Sequence, residues 1–122
     1  MLDTRVPVVR KSAARVLGML VLLLLPFMAQ SAMEQTAVTN VVRLISYNQF
    51  GSGDVVFTVK NLGSNCIGYW INRDDAGFEA NLSMLLAAYH AKTRVKVAGL
   101  DDQKWSGSNS LFCKLYAIEY AE

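Results

Sequence analysis

The chain has 122 residues, 12 basic and 10 acidic, and two cysteines. Four of the basic residues (Arg5, Arg10, Lys11 and Arg15) but only one acid (Asp3) precede residue 32, so the remainder keeps eight basic and nine acidic residues and a net charge of about −1. No surplus of Lys and Arg is left to neutralise a row of phosphates, and basic residues do not alternate with aromatic ones. Nucleic acid is therefore removed from the expected partners.

The N-terminus reads as an address. The four basic residues stand ahead of an apolar run from Val16 to Met28, interrupted by Gly18 and Pro26. A membrane-spanning helix needs roughly twenty apolar residues, and this run is shorter. Ala29-Gln30-Ser31-Ala32 follows with small side chains of the kind a signal peptidase accepts. The pattern predicts a cleavable signal peptide over residues 1–31, cut after Ser31 or Ala32, and a single mature domain over residues 32–122. An uncleaved anchor is the competing reading. Cleavage implies a secreted or periplasmic protein with no membrane span.

Along the mature chain, Asn40 to Asn48 (NVVRLISYN) is rich in β-branched and aromatic residues and predicts a first strand. Gly51-Ser52-Gly53-Asp54 supplies a turn, and Val55 to Lys60 alternates as a half-buried second strand. After Asn61 to Asn65, the segment Cys66 to Asn72 predicts a third strand, with Gly68 marking a bulge or close approach. The period then changes. Phe78, Leu82, Leu85, Leu86 and Tyr89 fall on one face of a helix about fifteen residues long. Acids near its start (Asp74, Asp75, Glu79) and bases near its end (Lys92, Arg94) complement the helix dipole. Strand character returns at Arg94 to Gly99 and, after a polar loop from Leu100 to Ser110, at Leu111 to Tyr120.

This order predicts a mainly β, α+β protein of OB-fold type, a five-stranded partly open barrel with its helix between strands three and four. A plain sheet with the helix packed on one face is the alternative. A domain of about ninety residues gains from a covalent staple. In an oxidising compartment Cys66 and Cys113 are expected to form one disulfide, closing 47 residues of chain. Two free thiols are the other possibility, although a catalytic pair is normally spaced C-x-x-C.

Leu82-Ser83-Met84-Leu85-Leu86-Ala87-Ala88-Tyr89 running into Thr93-Arg94-Val95-Lys96-Val97, together with the three preceding strands and the exported, single-disulfide format, resembles the B subunits of bacterial AB5 toxins. The subtilase cytotoxin B-subunit type is the most similar, over roughly Val55 to Trp105. The resemblance implies a small secreted OB-fold that assembles as a homopentamer, binds cell-surface glycans and carries a separate enzymatic A subunit. Two departures stand out. The tyrosine with which that type contacts sugar, late in the strand after the helix, corresponds here to Gly99, and Gln35 to Thr39 matches none of its sugar contacts.

Catalytic chemistry has little to work with. His90 is the one histidine, and it lies on the predicted helix. One His and two distant Cys give no zinc-ligand spacing, and no cofactor motif occurs. Asp74-Asp75 and Asp101-Asp102 are paired carboxylates of the sort glycoside hydrolysis uses, yet adjacent acids in polar loops are more often turn residues. Asn81-Leu82-Ser83 is a glycosylation sequon inside the predicted helix. Trp70, Tyr69 and Tyr116 are expected to pack; Tyr47, Tyr116 and Tyr120 alternatively cover a subunit interface.

The best ligand site is the loop carrying Asp101, Asp102, Gln103, Trp105 and Ser106. An indole face stacks on sugar C–H surface while carboxylate, amide and hydroxyl bond its hydroxyls. Trp105 folded back to cap the barrel is an equally good reading of the same residues. The sequence thus points to a non-enzymatic exported glycan-binding module, with a small exported structural or inhibitor protein that holds a protein partner as the alternative.

Overall fold

The structure, a computed structural model, describes residues 32–121. The expected signal peptide and Glu122 lie outside the described residues.

The described chain is mainly β with a single helix. Its elements are β1 (Met33–Gln35), β2 (Val41–Ser46), β3 (Val55–Val59), β4 (Gly68–Ile71), α1 (Phe78–Ala91), β5 (Val95–Lys104) and β6 (Phe112–Tyr120). All six strands belong to one sheet in the order β1-β5-β6-β4-β3-β2. Neighbours are antiparallel except β4 and β6, which run parallel. A parallel pair needs a long crossover, and here α1 and β5 supply it.

The strand count is six, where the sequence predicts five. Met33–Gln35 is too short to show a period of its own, and it is ordered by the outer edge of β5, with Glu34 opposite Gly99. Beyond it the chain stays on that edge through threonine. Thr36 Oγ1 accepts from the Val97 amide at 3.1 Å, and Thr39 forms a bridge with Val95. Both threonines are buried, and both satisfy backbone groups that an open sheet edge would leave unpaired.

One face of the sheet carries the core. Val55, Phe57 and Val59 of β3 point into it, with Tyr69 and Ile71 of β4, Val95 and Val97 of β5, and Leu115 and Ile118 of β6. Phe57 stacks on Tyr69 with ring centroids 5.2 Å apart. Each large apolar side chain so buried contributes about 1.5–3 kcal/mol. Cys66 and Cys113 form the expected disulfide, buried within this layer.

Helix α1 closes the core through Leu85 and Ala88, with Phe78, Leu82 and Met84 partly buried beside them. That face differs from the predicted stripe: Leu86 and Tyr89 point to solvent. The small Ala88 lies against the sheet where a tyrosine ring would hold the helix away. Tyr120 donates from its hydroxyl to the Met84 carbonyl at 2.9 Å, tying the end of β6 to the helix.

Candidate functional site

The turn between β2 and β3 builds one half of the site. Gly51 and Gly53 both have positive φ, 60° and 71°, a conformation open to glycine at little cost. They fold the turn back on Asp54, whose amide donates to the Phe50 carbonyl at 3.1 Å and whose carbonyl accepts from the Tyr47 amide at 2.8 Å. The Asp54 side chain is buried. One carboxylate oxygen accepts from the Ser52 amide at 3.2 Å, the other from the Trp105 indole nitrogen at 2.9 Å.

The segment between β5 and β6 builds the other half. It lies across the face of β2 and β3 opposite the core, the side to which Arg43, Ile45, Tyr47, Val56 and Thr58 point. Trp105 is only 5% exposed. Its ring meets Tyr47, Phe50 and Phe112 at centroid separations of 5.5, 5.4 and 5.6 Å. Gly107 packs so closely on the indole that a β-carbon there would collide with it.

Between the two halves is a cleft of about 190 Å³, lined by Trp105, Tyr47 and Phe112 together with the polar residues Arg43, Thr58 and Ser108. Aromatic walls flank a guanidinium with five donors and two hydroxyls that donate or accept. The cleft therefore sets apolar ring surface beside groups able to donate and accept hydrogen bonds.

Of the two readings of Trp105, the structure has the folded-back one. Asp101, Asp102, Gln103 and Ser106 do not line the cleft with it. The polar stretch from Leu100 is not a free loop as predicted, because β5 continues to Lys104 with a register shift against β6 between Leu100 and Lys104. In that irregular stretch Asp101 accepts from the Asn65 side-chain amide at 3.2 Å. The Gln103 carbonyl accepts from the Trp70 indole at 3.0 Å. Asp102 and Ser106 are exposed.

Arg43, Tyr47 and Thr58 escaped the sequence reading as site residues. Their signal was the strand alternation itself, which sets residues 43, 45 and 47 on one face. Asp54 was read only as a turn residue, although an acid directly ahead of the apolar run Val55-Val56-Phe57 is an invitation to look for a buried partner.

Gly99 has a packing reason. A β-carbon there would lie 2.7 Å from the Tyr69 ring and 3.1 Å from the Cys113 β-carbon. Tyr69 thus occupies the space behind Gly99, so no larger residue fits without displacing it. The Tyr69 hydroxyl is buried without a hydrogen-bond partner. Burial, reinforced by the Glu34 carboxylate, pushes its pKa up to about 12.

The remaining candidates hold loops together. Asp74 accepts from the Ser52 hydroxyl at 2.9 Å. Asp75 accepts from the Asn72 amide and pairs with Lys114, whose ammonium also lies 3.7 Å from the Trp70 ring centroid. His90 is exposed beside Tyr89 on α1. Among the described residues no three His, Cys, Asp or Glu side chains gather to hold a metal ion, and no helix is long and apolar enough to cross a membrane. In comparison with known proteins, no family model matches the chain and no curated protein matches it.

Proposed function

We propose that this protein is an exported, non-enzymatic glycan-binding module whose ligand site is the cleft beside Trp105. The observation that carries the reading is the convergence of Trp105, Tyr47 and Phe112 with Arg43, Thr58 and Ser108 around one cleft on the side of the sheet opposite the core. Signal-like residues 1–31 and the Cys66–Cys113 disulfide support export.

An OB-type barrel is the architecture this reading adopts. It is supported by the succession β2-β3-β4-β6-β5, by the parallel β4–β6 pair, by the helix between β4 and β5, and by the return of Thr39 to Val95. OB-folds bind oligosaccharides on the face of their second and third strands, between the loops after strands one and four. Here those loops are the Asp54 turn and the Trp105 segment, and the cleft lies between them, though on β2 and β3, the first and second strands of such a barrel, so the correspondence is in the loops and in one of the two strands.

The resemblance to AB5 toxin B subunits adds a cell-surface glycan, a ring of five and an enzymatic A subunit to the proposal. Exposed Met33, Tyr116 and Tyr120 suit a subunit contact, since tyrosine is enriched at interfaces. A glycan array combined with the solution mass tests the whole: glycan binding by a pentamer is expected, whereas a monomer that captures one protein and no glycan would favour an inhibitor or structural role.

A further inference from the structure

We propose that a second cleft, between the end of α1 and the start of β2, binds a sulfated saccharide. Residues 40–42 form one wall; Tyr89, His90, Lys92 and Arg94 form the other, around a volume of about 610 Å³. None of these residues lines the Trp105 cleft.

Two backbone irregularities meet here. Lys92 is the one non-glycine residue with positive φ among the described residues, at φ 54° and ψ 38°. Helices that end in this left-handed conformation usually place glycine there, yet the position holds a lysine. The Asn40 side-chain amide fixes it by donating to the Lys92 carbonyl at 3.0 Å. Across the cleft the β2–β3 ladder shifts register between Val41 and Arg43, leaving Val42 without a partner and half exposed. Bulges of this kind re-aim side chains and are frequent beside binding sites.

The charge is one-sided. His90, Lys92 and Arg94 are exposed together, and no acid lines the cleft. The one ion pair among the described residues joins Lys114 to Asp75, so no described carboxylate pairs with Lys92 or Arg94. Lys92 and Arg94 also answer the dipole at this end of α1, but a glycine would hold the left-handed turn at less cost, so the lysine keeps its charge here against the backbone preference. The donors suit an oxyanion with several acceptor oxygens. Tyr89, 42% exposed, adds a flat face beside them, which selects a sulfate carried on a sugar ring over a free ion.

The test is calorimetric titration of protein produced from the full chain with a heparin-derived hexasaccharide and with its desulfated counterpart. Binding of the sulfated form alone is expected. Lys92→Gly removes a charge and relieves the left-handed backbone, so it should hold or raise the melting temperature while weakening binding by roughly fivefold; Arg94→Gln should weaken it by a similar factor. Lys104→Gln, which removes an exposed cation lining neither cleft, should leave this binding unchanged, and an equal loss there would overturn the proposal. Equal affinity for the desulfated hexasaccharide would overturn the proposal. So would undiminished binding by a Lys92→Gly/Arg94→Gln double variant, or binding to phosphatidylglycerol vesicles in place of the hexasaccharide.

Discussion

The Asp54 carboxylate accepts a hydrogen bond from the Trp105 indole 51 residues further along the chain, at 2.9 Å and out of contact with water. This contact joins the turn after β2 to the segment after β5. It fixes the two sides of the Trp105 cleft relative to each other.

Asp54→Ala should therefore leave a buried indole N–H unpaired and lower stability by about 1–3 kcal/mol. Asp54→Asn, which keeps one acceptor oxygen, should cost less. Urea unfolding of the three proteins measures both; an Asp54→Ala variant as stable as the native protein would show that the contact contributes nothing.

Joining residues 47 apart in sequence, the disulfide constrains the unfolded chain by about 4 kcal/mol on the chain-entropy argument. The Cys66→Ala/Cys113→Ala double variant should accordingly melt well below the native protein. Differential scanning calorimetry gives the answer, and an unchanged melting temperature would contradict it.

Tyr69 should make stability fall at alkaline pH. Its hydroxyl titrates at about 12 in the folded protein against 10.0 ordinarily, so the folded state holds the proton more tightly. The resulting stabilisation is complete below pH 10 and is lost as the pH rises toward 12. Because the hydroxyl has no partner, Tyr69→Phe should be neutral or stabilising at pH 7 and should flatten the alkaline limb. Denaturant midpoints between pH 8 and pH 12 check this, and a steep loss retained in Tyr69→Phe would assign the limb to other groups.

Much of this architecture was legible in the chain because local pattern decided it. The alternation of Val55 to Val59 and the apolar spacing from Phe78 placed β3 and α1 within a residue or two, and an even cysteine count behind a signal-like N-terminus gave the disulfide. What escaped depended on distant partners. Met33–Gln35 is a strand only because the edge of β5 is there to pair with it. Asp101, Asp102 and Gln103 look like loop residues because polarity hides their place in an irregular stretch of β5. Tyr89 was expected to face the core, but Ala88 does, since helix-to-sheet distance is set by the smallest residue at the contact.

The site shows the same division. Trp105 was recognisable as the aromatic to examine, but its orientation was decided by Asp54, and no periodicity links positions 51 residues apart. That orientation changes which residue makes a clean probe. Trp105→Ala would empty a buried site and cost about 3–5 kcal/mol, confounding a loss of binding with a loss of fold. Arg43 is exposed, where substitutions usually shift stability by no more than about 0.5 kcal/mol.

The most direct measurement of the central claim is glycan-array binding by the native protein and by Arg43→Ala at matched melting temperature. The native protein should bind a defined set of glycans, and the variant should bind that set about tenfold more weakly, the loss expected for one charge-assisted hydrogen bond. Undiminished binding by Arg43→Ala, or no glycan bound by the native protein, would contradict the assignment of the Trp105 cleft as a sugar site.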